Sequence, residues 1–194
     1  MLQSVLEFLF PAQCAACNAV GSGLCERCFP RREPEAFARG SVVVHALGPY
    51  EGALRRAVLA LKDGRRDVAR ALGARLAPLI RIEMTLIPIP TTPARRRERG
   101  FDGCALLAAV AVAETPARVL GGIVQSRGDT QRGRGRTARL AASGRFRWTG
   151  NPLDGVEVVL LDDVVTTGAT LADCAASIRA AGGIVNEAIV VARA

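Results

Sequence analysis

The chain has 194 residues, 49% of them hydrophobic, and a net charge of +8 in which Lys62 is the only lysine. That length suits one medium domain with a small appendage. The arginine-borne charge favours phosphate and carboxylate partners, and no stretch reaches the roughly 18 apolar residues of a membrane span, so stable membrane insertion is not expected.

The first ten residues lack a basic start and Glu7 interrupts their apolar run, so the chain reads as cytoplasmic. Leu2, Val5, Leu6 and Leu9 fall on one helical face that packs on the protein or on a partner. Cys14, Cys17, Cys25 and Cys28 then form two Cys-x-x-Cys pairs. Two such turns supply the four thiolates of a tetrahedral zinc shell, leaving no open position for catalysis. A pair of disulfides is disfavoured in a cytosolic chain, and redox dithiols need no second pair. Residues 31–40 read as a polar connector, giving an N-terminal helix and zinc knuckle over 1–38 and a main domain over 39–194.

Ser41 to Leu47 reads as the first strand of that domain, with His45 given no role. Helical spacing follows from Glu51, ending near Asp63-Gly64, and a second helix spans Arg65 to Arg81. The basic turn Leu61 to Arg66 between them is, from spacing, a solvated helix boundary. Leu86 to Pro90 is a short strand that breaks into a proline-rich turn. Arg95, Arg96, Arg97 and Arg99 follow, either a charged surface loop or cations that neutralise a pyrophosphate. A helix then runs through Leu106, Leu107 and Val110, with Cys104 on its apolar face. Cys174 has a matching place on a later helix, and both cysteines are read as core. Residues 126–139 hold three glycines and five arginines. They read as a mobile segment that closes over a site, tracks a nucleic-acid backbone, or is a solvated connector.

The densest chemistry lies in Val158 to Leu171. Four apolar residues suit a strand buried on both faces of a parallel sheet, and Asp162 and Asp163 sit at its carboxyl end, where such sheets bind ligands. A loop of threonines and Gly168 leads into a helix that stops at Gly182-Gly183. Amides, hydroxyls and helix dipole suit a phosphate, and the carboxylates suit vicinal ribose hydroxyls.

This stretch resembles the signature of the type I phosphoribosyltransferases. The resemblance implies a site for 5-phosphoribosyl-1-pyrophosphate (PRPP) with magnesium. Val164, Val165, Thr166, Thr167, Gly168, Ala169 and Thr170 would hold the 5-phosphate, and Asp162 and Asp163 the ribose. Along nearly its whole length the chain is similar to the ComF family. The matching residues are Phe10-Pro11-x-x-Cys14-x-x-Cys17 with Cys25-x-x-Cys28, Leu61-Lys-x-Gly64, Pro88-Ile-Pro90, Arg96-x-x-Arg99-Gly-Phe101, and Thr130-Gln131 with Arg136. The resemblance adds Lys62, Arg96, Arg99, Gln131 and Arg136 as pyrophosphate or loop contacts. It also implies an α/β fold of about five parallel strands flanked by helices, the last strand over Ile184 to Val191, and a role in DNA uptake with single-stranded DNA and a helicase-like competence protein as partners. Ala141-Ala142-Ser143 stands where similar proteins carry an asparagine. Three functions remain open: a transferase, a PRPP or nucleotide sensor, and a single-strand nucleic-acid factor.

Overall fold

The computed structural model describes residues 11–125 and 144–194. The amphipathic stretch near Leu2 to Leu9 and the basic segment with Gln131 and Arg136 lie outside them. Residues 11–29 fold as short turns around the four cysteines. Strand β1 (Glu35–Arg39) then pairs antiparallel with β2 (Val42–Ala46) across Gly40 and Ser41, Gly40 taking the positive φ of +60° that a tight hairpin needs. The stretch expected to be a connector therefore contains a strand. Its Glu-Ala-Phe-Ala-Arg alternation puts Phe37 toward the core and the two alanines outward.

Helix α1 (Gly52–Lys62) and helix α2 (Arg66–Leu76) follow the apolar spacing, burying Leu54, Val58 and Leu61, then Val68, Leu72 and Leu76. Helix α2 stops short of Arg81 because Pro78 lacks the N–H that another turn requires, and a 3-10 turn over Ala77–Leu79 replaces it. After β3 (Thr85–Pro88), the arginine run forms a helix that the sequence reading lacked, α3 (Pro93–Arg99). Its signals are all at its ends. Thr92 caps it by accepting from the Arg95 amide, Pro93 sits in its first turn, and Gly100 ends it at φ +75°. Helix α4 (Gly103–Ala111) is capped by Asp102, and β4 (Arg118–Val119) follows.

Strands β5 (Ile123–Gln125) and β6 (Phe146–Trp148) pair antiparallel as a separate ribbon. Strand β7 (Glu157–Val165), helix α5 (Ala169–Ala180) and β8 (Ile184–Arg193) complete the chain as the strand–helix–strand unit expected from the sequence. Gly182, at φ +88°, ends α5 as anticipated.

The main sheet has the order β1-β2-β8-β7-β3-β4. Five strands are parallel and β1 alone is antiparallel. This is the expected class: a mostly parallel sheet flanked by helices, with a four-cysteine cluster at one end. Strand β7 lies inside the sheet and its side chains serve both faces. Val159 and Leu161 join the core under α1, α2 and α4, while Val158 and Leu160 join the core under α5. Burial on both sides is why this strand reads as an unbroken apolar run. Cys104 and Cys174 are both buried, as their helical positions suggest.

The cysteine module docks on the same core, with Cys14, Leu24 and Phe29 packed among the side chains of α1 and α2. Arg75 of α2 donates to the carbonyls of Leu24 (2.8 Å) and Phe29 (2.6 Å). Gly23 lies so close to α2 that a Cβ would stand 2.5 Å from the Asp67 carbonyl oxygen. The Gln13 amide also donates to Asp67 (3.3 Å), and Arg65 donates to the Gln13 carbonyl.

Candidate functional site

The carboxyl ends of β3 and β7 open onto a cleft of about 240 Å³, lined by residues from widely separated stretches of the chain. Strand β7 supplies Asp162, Asp163 and Val164, and α5 supplies Thr170. Lys62 comes from the end of α1, Arg95 and Arg99 from α3, and Arg145 and Phe146 from the ribbon. The acidic pair and the hydroxyl loop thus sit at the sheet edge where open α/β folds bind ligands.

Asp162 Oδ1 accepts the Asp163 amide at 2.8 Å and lies 3.7 Å from the Cys104 thiol. Burial, and then the charge of Asp163, push its carboxyl up to about 7. Asp163 pairs with Lys62 Nζ at 3.4 Å. A basic residue at the end of α1 is therefore part of the cleft, and not merely a solvated helix boundary. Burial and the facing carboxylates push the Cys104 thiol well up, so it stays protonated and serves as a donor.

The loop from Thr166 to Gly168 leaves the sheet and turns into α5. Gly168 takes φ +83° at the helix N-cap, and Thr167 Oγ1 accepts the Ala169 amide at 3.4 Å. Arg39 braces this loop from the opposite end of the sheet. Its Nε donates to the Thr166 carbonyl at 3.3 Å, and its aliphatic stem fills the space beside Gly168. Val165 is buried and pairs with Arg193, while Thr166, Thr167 and Ala169 are exposed.

Four cations reach the cleft wall. Arg95 and Arg99 are one helical turn apart and share a face of α3, whereas the exposed Arg96 points elsewhere and does not line the cleft. Of Arg96 and Arg99, both expected at the site, Arg99 lines the cleft, joined by Arg95. Arg99 Nε is buried and makes no hydrogen bond among the described residues, an orphaned donor that an anionic oxygen would satisfy. Arg145 was absent from the sequence reading. Asp173 of α5 accepts its amide at 2.6 Å and stands 3.8 Å from its side chain. The Thr91 amide donates to Asp102, the residue that caps α4, which fixes the loop between β3 and α3.

The second site is the cysteine cluster. The Sγ atoms of Cys14, Cys17, Cys25 and Cys28 all lie within 4.8 Å of one another, and none is in a disulfide. A tetrahedral ion with bonds of about 2.3 Å separates its sulfurs by about 3.8 Å, and Cys17 and Cys25 stand 3.8 Å apart. Burial would raise the Cys14 thiol, but the amides of Cys25, Ala16 and Cys17 override it and bring it down to about 6. The Arg27 guanidinium lies 3.7 Å from Cys17 Sγ. The four cysteines are thus arranged to hold a metal ion, as a thiolate donor set consistent with structural zinc.

A parallel sheet with an acidic pair, a threonine–glycine loop and a helix N-terminus at one edge is an arrangement suited to a phosphate-bearing ligand. Over part of its length the chain is similar to a ComF protein. The chain is 34% identical over 86 residues to competence protein ComFC of Bacillus subtilis (strain 168), a match covering 44% of this chain and 34% of that protein. It therefore spans about a third of that relative's length. No family model matches the chain. Among solved structures, it is similar to a hypoxanthine phosphoribosyltransferase from Staphylococcus aureus at 14% identity and a TM-score of 0.34, covering 68% of this chain and 62% of that one. No helix among the described residues is long and apolar enough to cross a membrane.

Proposed function

We propose that the chain binds PRPP with its magnesium in the cleft between Lys62, Arg99 and the Asp162–Asp163 pair, and that it serves natural transformation. One observation carries the reading: the acidic pair, Thr170 at the end of the hydroxyl-rich loop and a wall of four cations converge on a single cleft. The Thr166 to Thr170 loop would take the 5-phosphate at the N-terminus of α5. Asp162 and Asp163 would accept from the ribose hydroxyls. Lys62, Arg95, Arg99 and Arg145 would surround the pyrophosphate, and magnesium, arriving with it, would neutralise part of its charge. If the pyrophosphate leaves ribose C1, the carboxylates stand where positive charge develops on the sugar. The competence role rests on the resemblance to ComF proteins, and zinc is the metal we assign to the cysteines.

Single-stranded DNA is the second reading, favoured by exposed arginines on α3 beside the cleft. The two separate by salt. Equilibrium dialysis of PRPP, with and without magnesium, should show saturable binding that strengthens with magnesium. Binding of an oligonucleotide that falls steeply with salt, together with no PRPP uptake, would reverse the assignment.

A further inference from the structure

We infer that β1 is a docking edge for a second copy of this chain, the two β1 strands pairing antiparallel about Phe37 to continue the sheet across a twofold axis.

The strand is the edge of the main sheet and pairs only with β2 among the described residues. In a hairpin closed by two residues, the flanking pair Arg39 and Val42 exchanges hydrogen bonds, so the pairs alternate inward from there. Phe37 and Val44 then form the next bonded pair, which leaves the amides and carbonyls of Ala36 and Ala38 facing away from β2. The Ala38 carbonyl accordingly accepts from Arg39 Nη1 at 3.2 Å, a side-chain donor in the place of a missing strand.

The edge has no lysine, proline or bulge, and the charges it does carry, Glu35 and Arg39, are of opposite sign. Ala36 and Ala38 are exposed on one face, beside Val43, which is 44% exposed. The sequence of the strand supplies the register. Glu35 and Arg39 lie at equal distances either side of Phe37 on the same face. Antiparallel pairing about Phe37 sets each Glu35 opposite the other copy's Arg39, and exchanges the free hydrogen bonds of Ala36 with those of the other copy's Ala38. A one-residue slip would turn the charges to the opposite face from their partners. A hollow of about 420 Å³ lined by Glu35, Ala36, Phe37, Arg39 and Arg193 borders this edge and gives room for incoming side chains. The occupant is therefore self-complementary, which is the signature of an isologous contact.

Sedimentation equilibrium on the full, metal-loaded chain tests this. A reversible dimer is expected. Glu35→Arg and Arg39→Glu each place like charges opposite one another and should weaken it about tenfold or more, while the double exchange should recover it. Arg193→Met removes the intramolecular partner of Glu35 (2.8 Å) and the guanidinium over Phe37 (5.5 Å) without touching the strand's own charges, and should leave the dimer intact. Ala36→Pro deletes an outward amide without touching the hairpin bonds and should dissociate it. A wild type that stays monomeric at about 100 µM overturns the inference, as does a dimer that survives Ala36→Pro or is not recovered by the double exchange in folded protein.

Discussion

Replacing Arg75 with methionine should undock the cysteine module from α2. The guanidinium is 9% exposed and lies 3.4 Å from Glu26, itself 61% exposed. Its main work is inside, on the carbonyls of Leu24 and Phe29, with the Phe29 ring 5.3 Å away. Leu24 is 1% and Phe29 5% exposed, so water has little access to either residue if the donor is lost. A hydrogen bond from a charged donor contributes about 1.5–3 kcal/mol, and two of them set a gross loss of about 3–6 kcal/mol. Methionine keeps the aliphatic contact with Phe29 and avoids burying a charge, which returns part of that. The net expectation is a loss of about 3 kcal/mol. Urea denaturation of the metal-loaded protein measures it, with bound metal followed in parallel. A loss under about 1 kcal/mol, the range of an exposed ion pair, would refute the view that Arg75 clamps the module.

Three other outcomes follow from the same contacts. Gly23→Ala has no backbone strain to explain it, yet its Cβ meets the rigid α2 backbone at 2.5 Å, so a destabilisation of about 1–3 kcal/mol is expected by thermal melts. Stripping the metal should lower the melting temperature, because Cys14, Leu24 and Phe29 belong to the main core. It should also weaken PRPP binding, since the module braces Arg65 and Asp67 next to the turn that carries Lys62. For Asp162, burial raises the folded carboxyl to about 7 from a value of 3.8. The folded state then holds the extra proton between those values, so this group's stabilising contribution is full below about pH 4 and is lost as pH rises through about 7. Asp162→Asn should therefore gain on wild type in denaturation experiments as pH climbs from about 5 to 8. Over the same range PRPP should bind wild type more tightly, and parallel curves for the two proteins would contradict this.

The parts of the fold legible in the sequence are those whose cause is local. Strand β7 is apolar because both its faces are buried, and the turn after it is marked by Gly168 within the same few residues. The four cysteines carry their own spacing. Strand β1 was hidden because its five residues offer one large apolar side chain, Phe37, between two alanines and two charges, amid arginines and prolines, and only pairing with β2 makes them a strand. Helix α3 has no apolar stripe, so a reading by periodicity passes over it, although Thr92, Pro93 and Gly100 mark both its ends. The cleft was half legible. Its carboxylates and loop are contiguous, but its cations come from α1, α3 and the ribbon, and which arginines face inward depends on helix phase. That is why Arg95 and Arg99 line the wall while Arg96 does not. The approach of Cys104 to Asp162 spans 58 residues and had no sequence signal beyond an apolar face.

The central claim is that one cleft holds a phosphoribosyl group. Titrating magnesium–PRPP by calorimetry into the metal-loaded wild type and into an Asp162→Asn/Asp163→Asn double variant tests it most directly. Saturable one-site binding to the wild type, lost in a variant that still melts cooperatively and retains its metal, is the predicted result. A folded, metal-loaded wild type that binds no PRPP, or a variant that binds it as well, would contradict the account.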